Sequence, residues 1–248
     1  MSTPSLKPEY YHAHHAAFEA DLPFWRRLAQ QYGGPILALG CGTGRVALPL
    51  AQAGFPVVGV DLDAAMLRFL QARPVAAAPL ALLQADFHFL PLANTSIALA
   101  ILPCNTYTTI PPAARPAFLR GVARVLQPQG ALALSAPNPS FIAQLPAEAE
   151  PEPEGGFIAQ PNGQAVQVSS GWRRQGQRWT VVWHYDDLFP NGQVRRQTVT
   201  QTHFLPPLEE ERARFRAAGL TIVQEYGDFP NAPWGPSAPY WIAVAQRR

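Results

Sequence analysis

Between Ile36 and Ser135 short apolar runs alternate with segments whose apolar residues recur at helical spacing. The runs Ile36–Leu39, Val57–Val60, Leu80–Leu83, Ile97–Leu102 and Ala131–Ser135 have the length and continuity of buried strands, and 45–53, 64–72 and 113–126 between them read as helices. Strand and helix in turn predict a parallel sheet with crossover helices. Ahead of them, Tyr11, Phe18, Leu22, Trp25, Leu28 and Tyr32 predict one helix over 9–32, stopped by Gly33-Gly34-Pro35. Residues 139–156 are rich in Pro and Glu and read as a loop or linker. Beyond it the alternation returns with period two over 165–172, 178–188 and 194–205, which predicts three antiparallel strands with turns at Gly176 and Pro190-Asn191-Gly192. On the middle one Trp179, Val181, Trp183 and Tyr185 face one way, and Thr180, Val182, His184 and Asp186 the other. The chain then resumes strand-helix alternation with a helix over 208–218 stopped by Gly219, a strand over 221–226 and a last strand over 240–245.

The first strand runs into Gly40-Cys41-Gly42-Thr43-Gly44-Arg45, a turn rich in glycine that opens a helix. Glycine belongs where the backbone takes positive φ or a ligand approaches closely, and the C-terminal edge of a parallel sheet is where doubly wound folds bind nucleotides. A tight turn with no ligand would also use three glycines, so the next strand matters. It ends in Asp61, a carboxylate placed to accept both hydroxyls of a ribose. The third strand ends in Gln84-Ala85-Asp86-Phe87, with an acid for an exocyclic amine and a ring for a base pocket. The dinucleotide fingerprint wants a small residue where this chain has Arg45, which counts against an NAD-dependent oxidoreductase.

Together LGCGTGR, GVDLD and ADF, each at a strand end, resemble the class I S-adenosylmethionine-dependent methyltransferases over about 9–136 and again over 208–248. The resemblance implies a doubly wound, mostly parallel, seven-stranded Rossmann-like sheet whose last strand is antiparallel. It implies S-adenosyl-L-methionine as cofactor, with Gly40, Cys41, Gly42 and Gly44 against its methionine part, Asp61 on the ribose and Leu62 on the adenine. Asp86 and the backbone of Phe87 would take the adenine amine, and Leu102 and its neighbours at the fourth strand end would line the transferable methyl. Tyr10-Tyr11 resemble the tyrosines of a helical lid, so Tyr11 joins the cofactor set. One position departs from the family pattern: Ala38 stands where an acid usually precedes the first glycine.

The organisation expected is therefore a helical lid over 1–34, a cofactor-binding core over 35–137 and 206–248, and an antiparallel β insertion over 138–205 that covers substrate or forms a homodimer surface. Methyl transfer needs alignment of the acceptor and exclusion of water more than a nucleophilic residue, and a base is needed only for a protonated acceptor. His184, Tyr185, His203 and Tyr107 are the candidates for that role, with no motif to choose among them.

The acceptor class follows from charge. With 19 Lys+Arg against 17 Asp+Glu the net charge is +2, too weak a field for nucleic acid or an anionic membrane, so a small-molecule acceptor, methylated on nitrogen or oxygen, is expected. Apolar stretches such as 75–83 and 96–104 fall short of the roughly 18 residues that span a bilayer. Two cysteines, Cys41 and Cys104, make no disulfide framework, and the first residues carry no apolar leader. A cytoplasmic protein is the expectation. His12, His14 and His15 share too little of one face for a metal, and none is expected. The rival from another class is a non-catalytic cofactor-binding or scaffold protein, made credible by Ala38.

Overall fold

The computed structural model describes residues 6–73 and 78–248. Residues 75–77 of the apolar stretch 75–83, and residues 1–5 of the N-terminal segment, lie outside the described residues. Along the chain come α1 (Pro8–Ala16), α2 (Leu22–Tyr32), β1 (Ile36–Leu39), α3 (Ala47–Gln52), β2 (Val57–Asp61), α4 (Ala64–Gln71), β3 (Leu80–Gln84) and β4 (Ile97–Leu102). There follow α5 (Thr106–Thr109), α6 (Arg115–Val125), β5 (Leu126–Pro137), α7 (Pro139–Ile142), β6 (Glu148–Ala159), β7 (Gln164–Gln175), β8 (Arg178–Leu188) and β9 (Val194–Phe204). The chain closes with α8 (Leu208–Ala217), β10 (Leu220–Tyr226) and β11 (Tyr240–Arg247).

Seven strands form one sheet in the order β3-β2-β1-β4-β5-β11-β10. Every pair in it is parallel except those of β11, which runs antiparallel to β5 and β10. Strand order reverses between β1 and β4, the switch point beside which open α/β sheets hold ligands. Alternate residues of β1 feed opposite faces of the sheet. Leu37 and Leu39 pack with Phe118 and Val122 of α6 and Phe215 of α8, whereas Ile36 and Ala38 pack with Trp25 and Leu28 of α2 and Leu50 of α3. A leucine fully removed from water contributes about 1.5–3 kcal/mol, so this double burial is what holds the sheet edge in place.

Four more strands form a separate antiparallel sheet in the order β6-β7-β8-β9. Here the structure corrects the linker expected over 139–156, because 148–159 is the edge strand β6. Prolines 151 and 153 are tolerated there since an edge strand leaves part of its backbone unpaired. Bulges between Ala149 and Glu152, and between Pro153 and Gly155, absorb the residues that break the ladder. The single helix expected over 9–32 is likewise two, α1 and α2. Pro23 in the first turn of α2 forces a fresh start, and buried Asp21 just before it accepts from Trp25 and Arg45.

Candidate active site

The glycine turn after β1 and the loop after β4 meet at the switch point. Gly40, at φ 60°, has room for no side chain, since a Cβ there would lie 3.0 Å from Thr106 Cγ2. At Gly44, with φ 82°, a Cβ would sit 2.4 Å from Leu70 Cδ1. On the β4 side Cys104 and Asn105 both take left-handed φ, 59° and 61°, a conformation that non-glycine residues hold only when their surroundings fix it. Thr106 and Thr108 provide that fixing: their hydroxyls donate to the carbonyls of Pro103 (2.9 Å) and Asn105 (2.7 Å).

Asp61, at the end of β2, reaches back into the glycine turn. Its Oδ2 accepts from the Gly42 amide at 2.7 Å and its Oδ1 from the Asp63 amide at 2.9 Å. Leu62 beside it is 66 % exposed, an apolar side chain held out over the turn. Cys41 packs inward against Gly59, and burial pushes its thiol up to about 12. Asp86 caps the short helical turn Phe87–Phe89, its Oδ1 accepting from the His88 amide and facing His88 Nδ1 at 2.7 Å. The Phe87 ring leans on Phe118 at 5.5 Å, which leaves its backbone for a ligand. Leu102 points the other way from the cleft, wholly buried in the core beneath α6.

An ion pair that sequence spacing did not foretell pins this region together. Arg45 donates to both carboxylate oxygens of Asp21 at 2.6 Å, to the Phe18 carbonyl at 2.6 Å and to Cys104 Sγ at 2.9 Å. Burial works against the Arg45 charge, but the bond to Asp21 and the contact with Cys104 more than offset it and raise its pKa. Arg45 therefore clamps the glycine turn to the start of α2 and to the loop after β4. The sequence offered its bulk as an argument about cofactor type, but a partner 24 residues upstream leaves no local signal.

A cavity of about 700 Å³ opens over this clamp, within the range of small-molecule sites. Its floor is Asp21, Arg45, Cys104, Asn105 and Ser135, and its roof is the inner face of the four-stranded sheet. The roof residues of β8 are Trp179, Val181, Trp183 and Tyr185, with Trp172 from β7 and Gln201 and His203 from β9 alongside. Between floor and roof runs α1. Its Tyr11 ring lies against Gly42, so that a Cβ there would come 3.5 Å from Tyr11 Cε1, and meets His15 at 4.5 Å with the rings tilted 59°. Burial raises the Tyr11 hydroxyl well above its ordinary pKa.

The base candidates separate in this geometry. His203 faces the cavity and its Nδ1 lies 2.8 Å from Thr108 Oγ1. That hydroxyl gives its only proton to Asn105, so His203 donates from Nδ1 and keeps a lone pair on Nε2. Burial pushes its pKa down to about 4, so it is neutral at pH 7. Tyr185 also lines the cavity. His184 stands on the opposite face of β8, its Nδ1 2.9 Å from Thr198 Oγ1. Tyr107 is remote as well: its hydroxyl donates to Glu211 inside the core, and burial raises its pKa. The three N-terminal histidines go to separate partners, His12 to Thr43, His14 to Tyr185 and Glu154, and His15 to Tyr11.

Comparison with known proteins places this geometry. The model of a methyltransferase-domain family matches residues 36–130. A putative methyltransferase of Bacillus subtilis (strain 168), YqeM, is 30% identical over 123 residues, 49% of this chain and 49% of that protein. The chain thus spans about half the length of that relative. The cypemycin N-terminal methyltransferase of a Streptomyces species is 25% identical over 218 residues, 87% of this chain and 84% of that protein. Among solved structures, the sugar N-methyltransferase KedS8 from Streptoalloteichus sp ATCC 53650 superposes with a TM-score of 0.76 at 21% identity, covering 100% of this chain and 95% of that one. Residues 36–130 thus match a methyltransferase domain, and the glycine turn, the acid at the end of β2 and the strand order are those that such a domain uses for S-adenosylmethionine.

Proposed function

We propose that the protein methylates an amine nitrogen of a small ring-shaped acceptor lying under β7, β8 and β9. The observation that carries this reading is the cavity itself: it lies between Arg45 and Tyr11, which flank the glycine turn, and a roof of tryptophans, with the neutral His203 imidazole turned into it. Indole faces suit a ring, sugar or aromatic, and a cationic amine gains further from their π-electrons. The relatives named for methylating a sugar nitrogen and a peptide N-terminus agree on nitrogen.

The residues present fit the cofactor that the family uses. Gly40 and Gly44 hold the turn at positive φ, packed against Thr106 and Leu70 too closely for a side chain, and the Asp61 carboxylate accepts from the Gly42 amide between them. In this reading Gly40, Cys41, Gly42 and Gly44 take the methionine part, Asp61 the ribose, Leu62 the adenine face, and Asp86 with the Phe87 backbone the adenine amine. Ala38 is buried among the α2 side chains, so the amino group of the methionine part is left to backbone carbonyls. The bound sulfonium supplies an electrophilic methyl, whose C–S bond breaks in line as the acceptor's N–C bond forms, the electron pair staying on sulfur. The protein aligns the acceptor against the roof, holds it by a hydrogen bond to His203 Nε2, and keeps water out with Tyr11. Residues 1–34 then act as a lid and 138–205 as a cover on the core formed by 35–137 and 206–248.

Two measurements test this. S-adenosylhomocysteine is titrated by calorimetry, and product mass is followed with S-adenosylmethionine and glucosamine, tyramine or a tripeptide bearing a free N-terminus. Micromolar binding and a gain of one methyl on an amine are expected. Binding with no turnover on any of the three makes the protein a non-catalytic cofactor binder, and absence of binding removes the reading.

A further inference from the structure

Where α1 meets the four-stranded sheet, three side chains from three elements stand in series. His14 of α1 has its Nε2 3.1 Å from Glu154 Oε2 and its Nδ1 2.8 Å from the Tyr185 hydroxyl. Glu154 falls at the bulge in β6 between Pro153 and Gly155, the kind of irregularity that re-aims a side chain, and its Oε1 accepts from the Ser170 hydroxyl. An ionised carboxylate only accepts, so Nε2 carries the imidazole proton, and Nδ1 then accepts from Tyr185. The two ends of the series differ in their access to water. Tyr185 is 2% exposed and lines the cavity, whereas the Glu154 side chain is 40% exposed.

We infer that Tyr185, His14 and Glu154 form a proton relay that carries the acceptor's departing proton from the cavity to solvent. The acceptor ammonium gives its proton to the Tyr185 oxygen as the Tyr185 proton passes to His14 Nδ1. The imidazolium so formed sheds its Nε2 proton through Glu154 to water, and the nitrogen lone pair left on the acceptor is the nucleophile of the transfer proposed above, on which this inference rests. Burial, and after it the Glu154 charge, hold the Tyr185 hydroxyl above its ordinary pKa, so Tyr185 stays protonated and takes one proton only as it gives another. Burial takes His15 and His203, which line the cavity directly, down to about 3 and about 4; His14 stands behind Tyr185 with Glu154 on its other nitrogen. In this arrangement Tyr185 is the catalytic residue and His14 and Glu154 are positioning residues, the logic of a hydroxyl, imidazole and carboxylate in series.

The groups that face His14 are His15, stacked on it at 4.5 Å from the same helix, Glu154 of β6 and Tyr185 of β8. Tyr10 lies beyond Tyr185, bonded to Asp187 at 2.6 Å. The first test is nitrogen-15 NMR of the imidazoles in the complex with S-adenosylhomocysteine. The relay requires a protonated Nε2 and an accepting Nδ1 on His14, with Glu154→Gln disturbing that tautomer; a protonated Nδ1 on the neutral wild-type ring overturns it. The second test follows rate against pH with whichever of glucosamine, tyramine or the tripeptide is methylated. Tyr185→Phe, which keeps the ring and its packing, and His14→Gln are expected to lower kcat by about a hundredfold at pH 7. That loss shrinks as pH approaches the pKa of the acceptor amine, because free amine then arrives already deprotonated, and the affinity for S-adenosylhomocysteine does not change. An equal loss at every pH makes the three residues structural only. If none of the three amines is methylated, the methylation reading fails by itself, and the NMR tautomer still decides the relay.

Discussion

The two sheets bury their residues in different ways. Every residue of β1 and β4 is buried, because helices cover both faces of the large sheet and leave no polar side. On β9 His203 alone is buried, because that sheet has one face to the cavity and one to solvent. A doubly covered strand can vary its side chains only within the limits of packing, so its ligand chemistry moves to the turns at its ends. A singly covered strand presents every second side chain to the cavity, and each can change without disturbing the other face. The character of the large sheet is therefore written in backbone conformation and strand-end acids, and that of the small sheet in the side chains of β7, β8 and β9.

The largest effect expected comes from the joint between the two sheets. Arg115, the first residue of α6, is buried and donates to Glu211 Oε1 at 2.6 Å and to the Phe204 carbonyl at the end of β9 at 2.6 Å. Glu211→Ala leaves that guanidinium without its counter-charge and the Tyr107 hydroxyl without its acceptor, and breaking a buried pair from one side costs about 3–5 kcal/mol. Urea unfolding should show this loss, with Glu211→Gln less severe. If both variants unfold with the wild type, the pair does not hold the two sheets together. Gly44→Ala comes next. A left-handed residue costs about 1–2 kcal/mol, and crowding against buried Leu70 about 1–3 kcal/mol more. Both stability and affinity for S-adenosylhomocysteine should fall.

How much of this was legible follows the same division. The glycine turn, Asp61 and Asp86 could be placed from sequence because each sits at a strand end, and strand ends are marked by a change of period. The parity of β8 was legible too, since Trp179, Val181, Trp183 and Tyr185 share a face by alternation alone, and that face is the roof. What stayed hidden were pairings across long sequence gaps: Arg45 with Asp21, Arg115 with Glu211, and His14 with Tyr185 and Glu154. Composition misled at β6, where Pro and Glu suggested a linker although an edge strand tolerates both. Tyr107 failed as a base candidate because nearness in sequence to the end of β4 says nothing about which way a side chain turns.

Acidification distinguishes the two sheets at a smaller scale. The His203 pKa is lowered to about 4 from 6.5, so below pH 6.5 the unfolded chain takes up a proton that the folded one refuses. Stability is full above about pH 6.5 and is lost as pH falls toward 4, by about 2 kcal/mol at pH 5. His15, lowered to about 3, adds to the loss in the same direction. Urea midpoints at pH 7 and pH 5 measure the slope, and His203→Gln should flatten it; an unchanged slope would mean that His203 is solvated in the cavity. Trp183→Ala acts on the acceptor alone. Losing an aromatic contact worth about 0.5–1.5 kcal/mol raises the acceptor KM by up to about tenfold, while the affinity for S-adenosylhomocysteine stays where it was.

The smallest effect belongs to an ion pair with good geometry in the wrong place. Arg196 donates to both oxygens of Asp186 at 2.7 Å across β8 and β9, the same bidentate form that Arg45 makes with Asp21. Its side chain is 55% exposed and lies on the solvent face of the roof, where water screens the attraction and holding a long side chain in one geometry costs entropy. Arg196→Ala should leave the unfolding midpoint and the acceptor KM unmoved. Set beside Glu211→Ala, it asks whether burial or hydrogen-bond geometry decides the worth of an ion pair in this fold. A clear loss of stability from Arg196→Ala would mean that the outer face of the roof is covered in solution, which would also bring its edge strands into question as a surface for a second copy of the chain.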